Sequence, residues 1–198
     1  MSMTPGSSDN DKATLRIAAL ALRAELSGTQ RRAAAQAVAS HVFPLPIIRG
    51  SIIAGYSPIR SEIDPFPLMR QLAATHGARL ALPVVVARNE PLLFRQWSPA
   101  DALVPGEMGI PEPPMEAPEL LPDILLVPLA AFDRAGHRIG YGAGHYDRTF
   151  ALLRVTKPFI AIGLAFDLQE IEAVPAQPHD VKLDYVLTET RVIDFRSI

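Results

Sequence analysis

The sequence predicts an α/β protein: a three-layer α/β/α sandwich in a single domain, with helices on both faces of a mainly parallel sheet. Apolar runs of strand length recur along the chain, at residues 124–129, 159–166 and 185–188 among others. In the segments between such runs, apolar residues recur every three or four positions, which is the spacing of helices with one buried face. Strands buried on both sides need helices above and below them, so this alternation favours a parallel sheet.

The composition is that of an ordinary globular protein. The 198 residues are 48% hydrophobic and 20% charged, with a formal net charge of −2 and no run of lysines or arginines. This balance argues against nucleic acid or an anionic membrane as a partner. The absence of cysteine excludes disulfides, thiolate metal sites and thiol nucleophiles. No apolar run is long enough to span a bilayer, and the polar N-terminus is unlike a signal peptide, so we expect a cytoplasmic protein. A monomer is the expected oligomeric state.

The N-terminal segment is expected to be a disordered leader at residues 1–10, with the single α/β domain at residues 11–198. A helix is predicted from Lys12, because two stripes run along it at helical spacing. The apolar stripe comprises Leu15, Ala19, Leu22 and Leu26, and the basic stripe comprises Lys12, Arg16 and Arg23. The basic residues lie within about 40° of one another at 100° per residue. They form either a solvated edge of the helix or a cationic ridge that faces an anion.

A second helix and a short strand come next. Ser27 and Gln30 have the spacing of a capping box, which predicts that a helix begins there. Residues 51–56 then read as a short buried strand. The loop at residues 56–65 leaves the end of that strand, where open α/β sheets place their ligands, so Glu62 is a candidate binding residue. Simple exposure to solvent is the other interpretation of this carboxylate.

The third helix is followed by two strands. Asp64 is expected to cap the helix with Pro65 at its first position, and Gly77 is expected to end it. Residues 79–86 and 92–97 read as strands separated by a turn. The two can form an antiparallel hairpin, in which case the sheet is mixed and not purely parallel.

The most informative stretch is residues 124–150, which reads as a buried strand, a glycine-rich loop and a helix. Gly140, Gly142 and Gly144 stand at alternate positions, where missing side chains allow positive φ angles and let backbone amides approach a ligand. A helix predicted from His145 adds unpaired amides and the positive end of its dipole. This order is typical of anion binding, although the spacing matches neither the P-loop nor the dinucleotide-binding glycine motif.

Charged residues flank the glycine-rich loop. Arg138 and Arg148 can neutralise phosphate on either side of it. Asp147 would be repelled by a polyphosphate unless a cation came too, so its presence predicts a magnesium ion bridging it to the phosphate. A tight turn followed by a capped helix is the purely structural interpretation of the same motif.

The run from Val127 to Arg148 resembles the signature of the 5-formyltetrahydrofolate cyclo-ligases, also called methenyltetrahydrofolate synthetases. It shares Val127-Pro128, Ala131-Phe132-Asp133, Gly136 and the segment RIGYGAGHYDR at residues 138–148. The resemblance extends from Lys12 to about Asp184 and includes the pattern D-x-K-x-D at residues 180–184. The loop differs from the usual bacterial pattern at Ala143, in place of glycine, and at His145, in place of tyrosine.

The resemblance implies the three-layer fold and a reaction. The reaction is ATP- and magnesium-dependent cyclisation of 5-formyltetrahydrofolate to 5,10-methenyltetrahydrofolate, with release of ADP and phosphate. In the course proposed for the family, the formyl oxygen attacks the γ-phosphate and the folate nitrogen N10 then closes the ring. Mg²⁺ is therefore the implied cofactor, and ATP and a reduced folate are the implied small-molecule substrates.

The resemblance also implies roles for individual residues. The implied ATP-binding residues are Lys12, Arg16, Arg138, Gly140, Tyr141, Gly142, Ala143, Gly144, His145 and Tyr146. The implied folate-binding residues are Ser57, Glu62, Met108, Tyr141, Gly142, Gly144 and His145. Magnesium contacts are implied for Asp147 and Asp180, and catalytic roles for Arg138 and Tyr146.

Two other classes of function stay open on the residues alone. Similar sheets bind the ligands of sugar-phosphate isomerases and acyl-CoA transferases, and neither of these enzymes needs ATP. A nucleotide-binding regulatory module without turnover is the alternative outside the enzymes. Only a turnover assay separates such a module from a ligase.

Overall fold

The computed structural model describes residues 7–177 and 180–196, except for the side chains of residues 7–9 and 108. The helices are α1 (Ser7–Ala24), α2 (Gly28–Ser40), α3 (Phe66–His76) and α4 (His145–Thr156). The strands are β1 (Ile52–Ala54), β2 (Arg79–Val84), β3 (Leu93–Trp97), β4 (Val104–Pro105), β5 (Pro111–Glu112), β6 (Ile124–Pro128), β7 (Ala131–Phe132), β8 (Arg138–Ile139), β9 (Ile160–Leu164), β10 (Tyr185–Leu187) and β11 (Val192–Asp194). Short 3₁₀ turns lie at Glu107–Gly109 and Asp167–Gln169.

Seven of the strands form one mixed sheet in the order β11-β10-β9-β6-β1-β2-β3. The five central strands are parallel, and β3 and β11 pair antiparallel at the two edges. The predicted hairpin of β2 and β3 is confirmed, with Leu80 opposite Trp97. The edge strand β11 was not predicted, because three residues with alternating exposure carry little signal.

Helices cover both faces of the sheet, which confirms the predicted three layers. On one face α2 and α3 pack against Ile53, Leu126 and Ile162. On the other face, Phe150 and Leu153 of α4 pack against the strand residues adjacent in sequence to those three, because successive side chains of a strand point to opposite faces of the sheet. Among the helices of the described residues, none combines the length and the apolar character needed to cross a bilayer.

The predicted ends of the helices hold in part. Ser27 and Gln30 form the capping box of α2, and Gly77 ends α3 with a φ angle of 66°. The helix α1 begins at Ser7 and not at Lys12, so the leader prediction is wrong for residues 7–10. Its remaining part, residues 1–6, lies outside the described residues. Asp64 does accept a hydrogen bond from the Phe66 amide, at 2.8 Å, but it stands one position before the residue that caps the helix, Pro65.

The buried face of α1 differs from the predicted one. Leu22 is 52% exposed, whereas Arg23 is only 1% exposed. The helix is thus rotated so that its basic stripe faces the protein interior. On the same side, Ala19 packs against Ala130 and Ile139. The reason is that α1 lies over the carboxyl ends of the strands, where carbonyl and hydroxyl groups accept hydrogen bonds from arginine.

A small hairpin separates the central strand from the glycine-rich loop. The strands β7 and β8 pair antiparallel, and the chain turns between them at Gly136, which has a φ angle of 82°. The buried Asp133 carboxylate fixes this turn by accepting hydrogen bonds from the amides of Ala135 and His137. The predicted direct succession of strand, loop and helix is therefore wrong in one respect, because the loop follows β8 and not β6.

Candidate active site

A cavity of about 440 Å³ opens at the carboxyl ends of β1, β2 and β6. It lies where the chain order reverses, since β1 is flanked by β2 on one side and by β6 on the other. Open α/β sheets bind their ligands at such a point. The residues predicted as site residues that line this cavity are Lys12, Arg16, Ser57, Glu62, Arg138, Gly140, Tyr141, Gly142, Ala143, Gly144, His145, Tyr146, Asp147 and Asp180.

The glycine-rich loop and the start of α4 form one wall of the cavity. Gly142 and Gly144 have φ angles of 95° and 68°, a region that side chains strongly disfavour. The helix begins directly after Gly144, and no described side chain caps its first turn. Residues 144–147 line the cavity. The wall therefore offers helix N-terminal amides and the positive end of a dipole to an anion.

Gly140 serves a different purpose from the other two glycines. Its φ angle is not positive, so the left-handed conformation that glycine allows is used at Gly142 and Gly144 but not at Gly140. A Cβ atom added to Gly140 would meet no protein atom within 4 Å. Because Gly140 lines the cavity, the missing side chain leaves space for a ligand and does not relieve backbone strain.

Two basic residues of α1, Lys12 and Arg16, line the cavity. The Lys12 ammonium forms an ion pair with Asp180 at 2.5 Å, and both side chains are 15% exposed. The Arg16 Nε donates to the carbonyl oxygen of Gly140 at 2.6 Å. Of the two interpretations of this stripe, the structure therefore supports a ridge directed at the cavity and not a solvated edge.

Arg138 and Asp147 form a second ion pair on the cavity wall. Arg138 Nη2 donates to Asp147 Oδ1 at 2.6 Å, and Nη1 donates to the Val181 carbonyl at 2.7 Å. The guanidinium lies 4.5 Å from the ring centre of Phe150, and only 4% of the side chain is exposed. Asp147, by contrast, has a side chain that is 46% exposed. A protein cation thus already balances the carboxylate that was expected to need a metal ion.

The first turn of α4 is tied to the loop between β2 and β3. His145 Nδ1 lies 3.0 Å from the carbonyl oxygen of Glu90, which can only accept, so Nδ1 carries the hydrogen. Arg148 donates to the carbonyls of Ala143 and Arg88, at 2.6 and 3.3 Å. Arg148 therefore stabilises the loop through its backbone carbonyls and is not among the residues that line the cavity. A contact of Arg148 with phosphate stays a prediction. His145, in place of the usual tyrosine, also serves as an anchor.

Glu62 is a buried carboxylate on the opposite wall. It is 8% exposed, and its Oε2 accepts from the amide of Ile59 at 2.8 Å. Burial raises the pKa of Glu62, against the opposing effects of this amide, the Tyr141 hydroxyl that hydrogen-bonds to it, and the charges of Arg23 and Arg60. The interpretation of Glu62 as a merely exposed residue is therefore wrong.

Tyr146 stands beside these charges. Its ring packs edge-on against Phe150, with the ring centres 6.3 Å apart. Burial and the charge of Glu62 raise its pKa, while Arg138 opposes the rise. The hydroxyl consequently stays protonated over the physiological range and is able to donate a hydrogen bond.

The segment around β5 lies against the loop after β1 and forms another wall of the cavity. Ser57 Oγ donates to the Pro111 carbonyl at 2.5 Å, which holds this segment against the loop after β1. Ile110 and Glu112 line the cavity, but the side chain of Met108 lies outside the described residues. The cavity-lining residues that were not among the predicted site residues are Tyr56, Ile59, Pro83, Val85, Leu92, Ile110, Glu112, Pro128, Ile139 and Gln177. Several of them stand at strand ends, which is the signal that could have found them.

The carboxylates of the cavity fit magnesium only in combination with other ligands. Within residues 7–177 and 180–196, no cluster of three or more potential protein ligands could hold a metal ion alone. Asp147 and Asp180 nevertheless line the same cavity. Magnesium bound with a nucleotide usually takes one or two carboxylates together with phosphate oxygens and water. The two aspartates fit that kind of site and not a dedicated metal cage.

Comparisons with known proteins agree with one another. Residues 8–189 match the model of the 5-formyltetrahydrofolate cyclo-ligase family. The 5-formyltetrahydrofolate cyclo-ligase of Mycolicibacterium smegmatis is 37% identical, over 94% of this chain and 97% of that protein. The enzyme of the same name from Escherichia coli K12 is 33% identical, over 86% and 96%. The solved structure of Aquifex aeolicus 5,10-methenyltetrahydrofolate synthetase superimposes with a TM-score of 0.74 at 31% identity, covering 93% of each chain.

Proposed function

Because the chain belongs to the 5-formyltetrahydrofolate cyclo-ligase family, we propose that this ligase uses magnesium and ATP to convert 5-formyltetrahydrofolate to 5,10-methenyltetrahydrofolate. ADP and phosphate are the other products. One observation carries the proposal: a single cavity combines a glycine-rich anion-binding wall, three cationic side chains and a buried carboxylate. We expect no nucleic-acid or membrane partner, as the composition and net charge predict. A cytoplasmic location and a monomeric state are further expectations.

The ATP phosphates are proposed to bind at the glycine-rich wall. The amides of residues 140–144 and the first turn of α4 supply donors, and Tyr146 borders the same wall. Lys12, Arg16 and Arg138 supply positive charge from two directions, α1 and β8. Preorganised donors of this kind stabilise charge that develops during phosphoryl transfer, without rearrangement at the moment of reaction.

The two ion pairs of the cavity suit an exchange of partners with magnesium-ATP. Lys12 is paired with Asp180, and Arg138 is paired with Asp147, so the charges of the cavity balance one another. Magnesium-ATP carries charge of both signs. We propose that the cations turn to the phosphates, while Asp147 and Asp180 hold the magnesium. When bound, the ion would offset the charge of the triphosphate.

The folate is proposed to bind between Glu62 and the loop over β5. A buried carboxylate is suited to accept hydrogen bonds from the N–H groups of a reduced pterin, because it has no competing water. Ser57, Tyr141 and His145 border the same space, as expected for folate-binding residues. The apolar wall that suits the rings consists of Ile59, Pro83, Val85, Leu92 and Ile110.

The proposed reaction needs no protein nucleophile. The formyl oxygen attacks the γ-phosphorus and ADP leaves, which gives an imidate phosphate. N10 then attacks the formyl carbon, the carbon–oxygen bond breaks, and phosphate departs with the proton of N10. Arg138 is proposed to stabilise charge on the transferring phosphoryl group, and the protonated Tyr146 hydroxyl to donate to it. The protein therefore contributes position and charge.

The coupling of ATP hydrolysis to folate tests the proposal. The purified chain is given magnesium-ATP with and without 5-formyltetrahydrofolate, and ADP and the methenyl product are quantified. We expect one ADP for each methenyltetrahydrofolate and little ADP without folate, because the formyl oxygen is the proposed attacking group. Sugar phosphates and acyl-CoA, added in parallel, should produce no turnover. Equal ADP formation with and without folate would count decisively against the proposal.

A further inference from the structure

Arg23 is the residue of the basic stripe of α1 to which the proposed reaction assigns no role. It lies in the last turn of α1 and is only 1% exposed. Its guanidinium donates to Ser61 Oγ at 3.1 Å, to the Leu129 carbonyl at 3.2 Å and to the Tyr141 hydroxyl. Arg23 therefore joins three segments of the cavity: the loop after β1, the end of β6 and the glycine-rich loop.

The charge of Arg23 is compensated in an indirect way. An arginine cannot lose its proton in a protein, so burying it requires hydrogen bonds and a counter-charge. Within the described residues Arg23 forms no direct ion pair, but Glu62 follows Ser61 in the chain and hydrogen-bonds to Tyr141. The Tyr141 hydroxyl has one proton. Because it accepts from Arg23, that proton is available to the Glu62 carboxylate.

We propose that Arg23 is a positioning residue for the folate site, which acts through the Tyr141 hydroxyl to orient the Glu62 carboxylate, while its positive charge favours the ionised form of that group. The inference rests on the proposed function only in taking Glu62 as the group that meets the folate. Its physical basis is a chain of three side chains from α1, the glycine-rich loop and the loop after β1.

The surroundings of Glu62 make Arg23 the dominant cation. Burial raises the pKa of Glu62, and the nearby hydroxyls of Tyr56, Tyr141 and Tyr146 carry no charge in this range. Arg60 also acts on Glu62 but is exposed, so solvent screens it, whereas the Arg23 guanidinium is buried. Removal of Arg23 should therefore raise the pKa of Glu62 further and shift the carboxylate towards its neutral form.

The first test compares folate and ATP saturation in variants. Arg23→Met and Tyr141→Phe should each raise the KM for 5-formyltetrahydrofolate roughly tenfold at neutral pH, because the ionised acceptor is weakened. The loss should grow as the pH falls, and the ATP KM should change far less. Arg23→Lys restores the charge and should recover part of the affinity. Arg32→Met, at an exposed arginine of α2, controls for the loss of one positive charge.

The second test needs no substrate. The carboxyl carbon of Glu62 is followed by NMR in the ligand-free protein as the pH is varied. The midpoint should move to higher pH in Arg23→Met and Tyr141→Phe and stay in place in Arg32→Met. An unchanged midpoint in the folded variants overturns the proposal, and if Arg23→Met does not fold, Tyr141→Phe decides. A shifted midpoint in a protein without folate turnover would overturn the proposed function but leave the action of Arg23 on Glu62 standing.

Discussion

Two clusters of charge line the cavity and are built in opposite ways. In the paired-charge cluster, Lys12 contacts Asp180 and Arg138 contacts Asp147, at 2.5 and 2.6 Å. In the Glu62 cluster, a carboxylate that is 8% exposed has amide and hydroxyl partners, and its buried cation Arg23 is one hydroxyl group away.

The difference shows how one cavity can serve two unlike ligands. Direct ion pairs can be exchanged for a ligand that brings charge of both signs, at little net electrostatic change. A desolvated carboxylate held by an amide and a hydroxyl does not exchange partners so easily, but it is selective for hydrogen-bond donors. The paired-charge cluster should therefore respond to magnesium and ATP, and the Glu62 cluster to the folate.

The largest effect is expected when one partner of an ion pair is removed. Lys12→Ala loses a charge-assisted contact of about 1.5 to 3 kcal/mol and leaves the Asp180 charge uncompensated by Lys12 near the triphosphate. A free-energy loss of about 1.5 to 3 kcal/mol corresponds to a fall in ATP affinity of about tenfold or more, which calorimetry measures. Folate saturation should be nearly unchanged. Lys157→Ala, which breaks a 2.7 Å pair with Asp123 outside the cavity, is the matched control. Normal ATP binding by Lys12→Ala would remove the ion pair from the site.

Glu62→Gln is expected to have a smaller effect with the opposite selectivity, because it should weaken folate binding and leave ATP binding unchanged. The amide keeps the shape and one acceptor but loses the charge, so the folate KM should rise about tenfold, near the lower limit for a charged hydrogen bond. ATP affinity should not change, which would separate the two clusters. Steady-state kinetics with each substrate varied in turn measures this, with the exposed Glu25→Gln as control. Normal folate saturation would show that Glu62 does not contact the substrate.

Asp147→Asn distinguishes a metal contact from a helix-start residue. A carboxylate in the first turn of α4 that only interacts with the dipole and Arg138 should contribute about 0.3 to 1 kcal/mol of stability and little activity. If Asp147 holds magnesium, the folded variant should need several times more magnesium to reach a lower maximum rate. Magnesium titration at saturating ATP and folate measures both quantities. An unchanged curve would leave Asp180 as the sole proposed protein ligand.

The smallest effect concerns stability and pH. Burial raises the pKa of Glu62 in the folded protein, so the ionised group lowers stability at neutral pH relative to a neutral one. Glu62→Gln should therefore have a Tm at or above that of the wild type at pH 7.5. The difference should vanish as the pH falls below the ordinary pKa of a glutamate, about 4.3. A clearly lower Tm of the variant at pH 7.5 would indicate that the partners of Glu62 outweigh its burial.

The sequence by itself determined the elements whose signal is local. The buried strand at Ile124–Pro128, the capping box of Ser27 and Gln30, and the glycine loop before α4 are each specified by residues only a few positions apart. Hydrophobic periodicity, capping and backbone freedom act over such distances. The alternation of helices and strands then favours the three-layer fold, and the glycine loop indicates an anion site.

Only the tertiary structure decided which charges are buried and with which partners. Arg23 is buried while its neighbour Leu22 is half exposed, because the acceptors of Arg23 come from Ser61, Leu129 and Tyr141. Arg138 is likewise held by Asp147 and by a distant carbonyl, that of Val181. A helical pattern ranks positions by apolar character, but a charge can take a buried place when distant segments bring enough acceptors to it. That condition depends on the packing of the whole chain and cannot be read from the sequence of the helix.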